Sequence, residues 1–372
     1  MSQKPSRLRA WLAEWPLPVA FAIFVAGTLF RDRLDDVQLS GGLLGLAFAG
    51  LFLAAMLGAF GAVRHADSLA HHFGEPYGTL ILTIAVISIE VATIATVMLH
   101  GANNPGIARD TMFSVVMIVV NGVVGAGLLW GGIRHREQVY NLQGANAYLS
   151  VLIPVAVLTM VWPNFTHSAE TGVLSAAKGF FIMGMAGLLY AVFLGMQTVR
   201  HRAYFAAPGE APAAGPGGAP RAGGWFRHAV LLVLYLLLVV FTAKLFALPL
   251  DVGIERLGLP AGAGALAVAL LVLAPEGVAA IKAARDNELQ RCVNLALGSA
   301  LATISLTAPV VLGIGLGTGR TVILGLSPAN ETLLGLTFLV SILTFSSGRT
   351  NILQGCIHLL LFLAYVLLIF SP

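Results

Sequence analysis

Eleven runs of about 20 predominantly apolar residues decide what this chain can fold into. They fall near residues 11–30, 41–63, 77–99, 111–133, 146–163, 173–199, 226–247, 260–283, 291–317, 329–347 and 351–370. A helix rises 1.5 Å per residue, so runs of this length can cross a hydrocarbon core of about 30 Å. Inside that core a helix satisfies its own backbone hydrogen bonds. Charged residues make up only 10% of the chain and hydrophobic ones 58%, against roughly 25% charged in soluble domains. A soluble fold of 372 residues is excluded. The expected class is an all-α polytopic membrane protein of about eleven transmembrane helices. Glu14, Pro16 and Pro18 shorten the apolar core of the first run; a cleaved signal peptide is the alternative reading, but no small-x-small cleavage site precedes the charged run Arg31 to Asp36.

Loop charge sets an orientation. With the N-terminus in the cytoplasm, fourteen of the 21 Lys and Arg residues fall in cytoplasmic segments, among them Arg7, Arg64, Arg134, Arg200, Arg227 and Lys282. Arg31, Arg33, Arg109, Arg256 and Arg320 fall outside. Lys178 and Lys244 lie near outer helix ends, where a long stem carries the charge to the interface. The bias predicts a cytoplasmic N-terminus and a periplasmic C-terminus. The net charge of +4 then reports orientation rather than a nucleic-acid partner. Cys292 and Cys356, both in or beside apolar runs, argue against a disulfide framework.

Between the sixth and seventh runs, YFAAPGEAPAAGPGGAPRAGG (Tyr204–Gly224) is rich in Pro, Gly and Ala and has no periodicity. It reads as a disordered cytoplasmic linker. The chain divides into an N-terminal segment with a leading helix (1–40), a five-helix set (41–200), the linker (201–225) and a second five-helix set (226–372). An odd number of helices per set gives the two sets opposite orientations. That is the arrangement of an inverted repeat, which places a substrate site near the midplane.

Each set carries one acid in its second helix: Glu90 within IAVISIEVATIA (Ile84–Ala95), and Glu276 directly after Pro275. A charge facing hydrocarbon costs about 2.5–3.5 kcal/mol, and two unpaired carboxylates about 5–7 kcal/mol. Inverted symmetry is expected to bring the two acids close at mid-depth, where a shared cation or two protons removes most of that cost. Oxygen-bearing side chains accompany them. Thr79, Thr83 and Glu90 share a helical face. Ser114 and Asn121 are seven apart on the next helix, and Ser299, Thr303 and Thr307 follow strict four-residue spacing. Pro275 leaves the Leu271 carbonyl without its helical donor. Carboxylate, hydroxyl, amide and carbonyl oxygens suit hard cations such as Ca²⁺ or Na⁺, whereas soft transition metals would want His and Cys. The expected cation- and proton-binding set is Glu90, Glu276, Asn121, Ser299, Thr303, Thr83 and Ser114, with no resident cofactor. A membrane Ser or Thr commonly bonds its own backbone, so the two carboxylates carry the functional reading.

Three segments resemble a known family: GEPYGTLILTIAVISIEVATIA (Gly74–Ala95), LAPEGVAAIKAARDNELQRCVNLALGSALATISLTAPVV (Leu273–Val311) and FSSGRTNILQG (Phe345–Gly355). They are similar to the calcium/proton exchangers of the cation/Ca²⁺ antiporter superfamily, and most to their bacterial ChaA-type branch. The resemblance implies an eleven-helix exchanger in the bacterial inner membrane, with an acid from each inverted repeat at the ion site. It implies exchange of cytoplasmic Ca²⁺, and in this branch Na⁺ or K⁺, for external protons. The family usually writes Gly-Asn-x-x-Glu in each repeat. Here the Asn positions are Ile87 and Leu273, so two amide oxygens are missing. Acids that relatives carry near the last loop are replaced by Ser347 and Gln354. Fewer charges should weaken Ca²⁺ binding and favour Na⁺ or K⁺.

The segment RHADSLAHHFGEP gathers His65, His71, His72 and Glu75. His71 and Glu75 are four apart and could share a helical face in a gating, metal or pH-sensing role, against the commoner reading of solvated loop histidines. Glu331 could line an entry path or simply start its helix in solvent. His358 is expected to hydrogen-bond within the bundle. Two competing classes remain. An intramembrane enzyme needs a nucleophile with its base or a motif such as H-E-x-x-H, and the sequence has none. A cation channel needs a continuous polar path, which two isolated acids do not supply.

Overall fold

A computed structural model describes residues 14–34, 40–74, 77–100, 105–166, 172–209 and 224–371. Each of the eleven apolar runs forms a helix. These are α1 (Pro16–Leu29), α2 (Gly41–Phe73), α3 (Tyr77–His100), α4 (Ile107–His135), α5 (Leu142–Met160), α6 (Ala176–Arg200), α7 (Trp225–Leu257), α8 (Ala261–Arg285), α9 (Leu289–Thr318), α10 (Pro328–Thr344) and α11 (Ile352–Phe370). Eight of them are long and apolar enough to cross a membrane, and α1, α10 and the Thr83–Thr96 part of α3 are shorter apolar helices. The protein is a helical, multi-pass membrane protein.

Two helices outrun their apolar cores. α2 continues past residue 63 to Phe73 because Ala62, His65, Ala66 and Leu69 keep burying one face at helical spacing. It stops at Gly74, whose φ of 66° suits a residue without Cβ. α7 likewise continues to Leu257 and ends at Gly258 in the left-handed conformation. The apolar run measures the lipid crossing, whereas the helix ends at its cap.

The helices sort into two compact units, each drawing on both sides of the linker: residues 1–101 with 218–259, and residues 102–217 with 260–372. In the first, α2 packs on α1, α3 and α7. Close approach of α2 and α7 depends on glycine, as is common between membrane helices. A Cβ at Gly61 would lie 2.2 Å from the Tyr235 ring, and one at Gly58 2.6 Å from Val239.

In the second unit α4 is central, packing against α8, α9 and α11. Of its most apolar window 83% is buried, against 22% for α11, so α11 shields α4 and presents its own outer face to lipid. Midway, residues Met117–Val123 of α4 form a π-helical turn. A short antiparallel ribbon joins the ends of these two helices, β1 (Glu137–Val139) pairing with β2 (Arg349–Asn351). Residues Arg202–Phe205, at the start of the expected linker, form a 3₁₀ turn. Asn141 and Asn294 donate to its backbone carbonyls at Ala203 and Phe205, and Phe205 packs on Tyr148 and Phe193. A phenylalanine with a pocket to fill holds this turn in place. Residues 210–223 of the linker lie outside the described residues.

Candidate functional site

Glu276 sits in the second unit on α8, which runs unbroken through Pro275. Its carboxylate faces α9, where Ser299 Oγ donates a short hydrogen bond to Oε2. The two side chains border a small cavity whose other walls are Val119, Val123, Leu273, Gly277, Leu295 and Ala296. Its volume is about 10 Å³, at the lower edge of the roughly 10–15 Å³ that one water requires. Apolar walls leave an ionised carboxylate with little to neutralise it, and burying a charge without compensation is costly. A proton, or a single cation stripped of most of its water, fits the chemistry of the place.

The wall opposite comes from the π turn of α4, through Val119 and Val123. Such turns concentrate at functional sites because the extra residue re-aims the side chains around it. Gly277 permits the approach, since a Cβ there would stand 3.1 Å from Val123.

The same turn directs Asn121 elsewhere. Its Nδ2 donates to Thr337 Oγ1 at 2.9 Å, and its Oδ1 lies 3.0 Å from His358 Nδ1. His358 Nε2 is 3.0 Å from Thr344 Oγ1. An amide oxygen only accepts, so Nδ1 carries the hydrogen and, in the neutral ring, Nε2 accepts from the threonine. All four side chains are buried. Ser114 is fully buried as well; its hydroxyl donates to the Asp110 carbonyl at 2.7 Å and accepts from Tyr365 at 2.5 Å. Of the expected ligand set, then, the second unit joins Glu276 to Ser299. It places Thr303, 2% exposed, one turn further along α9, and turns Asn121 and Ser114 to α10 and α11.

Glu90 lies on α3 in the first unit and is 1% exposed, with Val86, Ile87, Ile89 and Ile94 buried around it on the same helix. Thr93 and Ser88 bond their own backbone, and Thr83 is half-buried. The side chain of Thr79, and Glu75 altogether, lie outside the described residues. The histidines of the RHADSLAHH stretch diverge. His71 is exposed and pairs with Asp67 at 3.7 Å, while His65, 1% exposed, turns inward to Glu14 and His228. Among the described residues no three His, Cys, Asp or Glu side chains are arranged to hold a metal ion. Glu331 accepts a hydrogen bond from Asn164 Nδ2 at 2.7 Å, and Asn164 also donates to the Leu326 carbonyl at 2.6 Å. These bonds tie the start of α10 to the turn after α5.

Sequence reasoning did not find Tyr365, Thr337 and Thr344 as partners, nor the grouping around Glu14. The signal for the latter is present, an acid beside an apolar run, but a lone Glu14 names none of its partners.

The family model described as sodium/calcium exchanger protein matches residues 43–199 and 227–371. The y4hA protein of Sinorhizobium fredii is 44% identical over 362 residues, covering 97% of this chain and 96% of its own length. The sodium-potassium/proton antiporter ChaA of Escherichia coli is 38% identical over 326 residues, 86% of this chain and 88% of its own. Among solved structures, native YfkE superposes with a TM-score of 0.71 at 19% identity, covering 95% of this chain and all of the other. At that identity the likeness concerns the fold alone.

Proposed function

The chain belongs to the sodium/calcium exchanger protein family, and we propose that it is a secondary antiporter exchanging cytoplasmic Ca²⁺, Na⁺ or K⁺ for external protons. It is a transporter, not an enzyme. The observation that carries the mechanism is Glu276, set with one serine donor against a cavity with room for one small occupant. Glu90, buried on α3, is its counterpart in the first five-helix set. Each carboxylate takes up cation or proton in turn. Because one position cannot hold both, the two fluxes are coupled. Loaded forms are near neutral and free to change access. The empty, charged form is too costly to move through hydrocarbon, which prevents leak.

Ion preference follows from the oxygens that remain. The positions where relatives write Asn are Ile87 and Leu273, both buried apolar side chains. The site then offers fewer ligands than Ca²⁺ prefers, since that ion takes six to eight oxygens. Na⁺ and K⁺ are the favoured substrates, in keeping with the sodium-potassium/proton exchange named for the relative ChaA. Thr83, on the helix of Glu90, and Thr303, on the helix of Ser299, are the further oxygen ligands within their own units, while Asn121 and Ser114 support the second unit through α10 and α11. Loop charge supports a cytoplasmic N-terminus and a periplasmic C-terminus, and the likeness to the bacterial antiporter ChaA supports a bacterial inner membrane.

The test is direct. In proteoliposomes holding a pH gradient, addition of Na⁺, K⁺ or Ca²⁺ should collapse it, the monovalent ions at lower concentration. No response to any of the three would remove the antiporter reading.

A further inference from the structure

Within the first unit, at the end where α1 and α7 begin and α2 finishes, side chains from α2 and α7 converge on one buried carboxylate. Glu14, directly before α1, is 7% exposed. Arg64 donates to its Oε2, the Tyr235 hydroxyl donates to the same oxygen at 3.2 Å, and Arg227 donates to Oε1 at 3.1 Å. His65 Nε2 stands 3.2 Å from Oε2, and His65 Nδ1 stands 2.9 Å from His228 Nδ1.

Two arginines and a tyrosine already satisfy the acid, so the histidine pair is not needed to hold it. Two ring nitrogens facing each other at bonding distance require one hydrogen between them: with none or with two they repel. His65 Nε2 faces a carboxylate and therefore carries a hydrogen. Arg64 Nη2, 3.4 Å from that nitrogen, carries two hydrogens, which its bonds to Glu14 and to the Tyr235 hydroxyl at 3.5 Å occupy. In the neutral pair, His228 Nδ1 donates and His65 Nδ1 accepts. One added proton preserves the bond, whichever ring takes it. A second sets N–H against N–H and breaks it.

The other charges acting here come from the same helices. Glu14 favours the added proton, while Arg64, Arg227 and His72 oppose it. α3, packed on α2 and α7, has no charged residue before Glu90, about 20 Å along the helix from its start.

We propose that His65 and His228 form a proton-binding site separate from Glu90 and Glu276. It fastens α2 to α7 while it holds at most one proton, and it lets them part when a second binds. Acidification on this side then slows the exchanger, a consequence that rests on the antiport function above. The site itself is tested without transport. In the full chain labelled with ¹⁵N-histidine in detergent micelles, the signals lost in His65→Gln and His228→Gln identify the two rings. Both rings should move together through a first step that takes up one proton, then through a separate second step. Two rings titrating independently, each by a full proton, overturn the proposal. In proteoliposomes at saturating Na⁺, His228→Gln keeps an N–H for His65 Nδ1 but cannot titrate. The acid limb of its rate profile should move by about one pH unit with the plateau rate unchanged, and His65→Gln should move the same limb. An unmoved limb in both variants overturns the link to transport. If no cation drives proton movement at all, the antiport reading fails while the ring titration still decides the site.

Discussion

At the scale of single residues, the two acids and Ser299 carry the testable chemistry. Glu90→Gln and Glu276→Gln should each reduce proton-coupled exchange to background in reconstituted vesicles at wild-type expression, because an amide neither titrates nor balances a cation. Wild-type coupled exchange in either variant would make that carboxylate structural. Ser299→Ala removes the hydroxyl that donates to Glu276. Hydrogen bonds to charged groups contribute about 1.5–3 kcal/mol, so apparent cation affinity should fall by roughly 10- to 100-fold, with exchange still measurable at high cation. These three residues are legible in the sequence for a local reason: an acid is conspicuous in an apolar run, and four-residue spacing marks a helical face. Asn121 shows where that reading stops. Its spacing from Ser114 is correct for a shared face, but Thr337 and His358, which engage it, lie 216 and 237 residues away in sequence. No local pattern announces which of several buried polar groups will meet.

Among the elements, helix existence was readable and helix contact was not. Apolar length gave all eleven helices, since a lipid crossing is a property of one segment. The π turn in α4 and the joining of α2 to α7 depend on partners, and in the sequence they appear only as valines and glycines among many others. The α2–α7 contact makes a quantitative prediction. Gly61→Val puts side-chain atoms where the Tyr235 ring lies, and overpacking of this kind typically costs about 1–3 kcal/mol. The purified variant should unfold at lower temperature in detergent. Gly45→Val, where nothing stands within 4 Å of the added Cβ, should unfold at the wild-type temperature. Equal loss at both positions would mean that glycine itself, and not the contact, sets the stability.

For the whole molecule, charge bias predicts sidedness. A reporter inserted within Tyr204–Gly224 should read cytoplasmic, and one fused after Pro372 periplasmic. Two reporters on the same side would remove the odd number of helices between them and with it the inverted repeat. The two compact units raise a different matter, the order in which the chain can be made. The first unit needs residues 1–101 and 218–259, and the second needs 102–217 and 260–372. During synthesis α4 enters the membrane long before α8, α9 and α11, the helices that cover it, exist. Its Asn121, fully buried once the chain is complete, must wait in the bilayer for a histidine translated 237 residues later. Cutting the chain within the linker therefore separates no finished part from any other. Each fragment would hold fractions of both units, and only co-expression of the two would be expected to yield a stable protein.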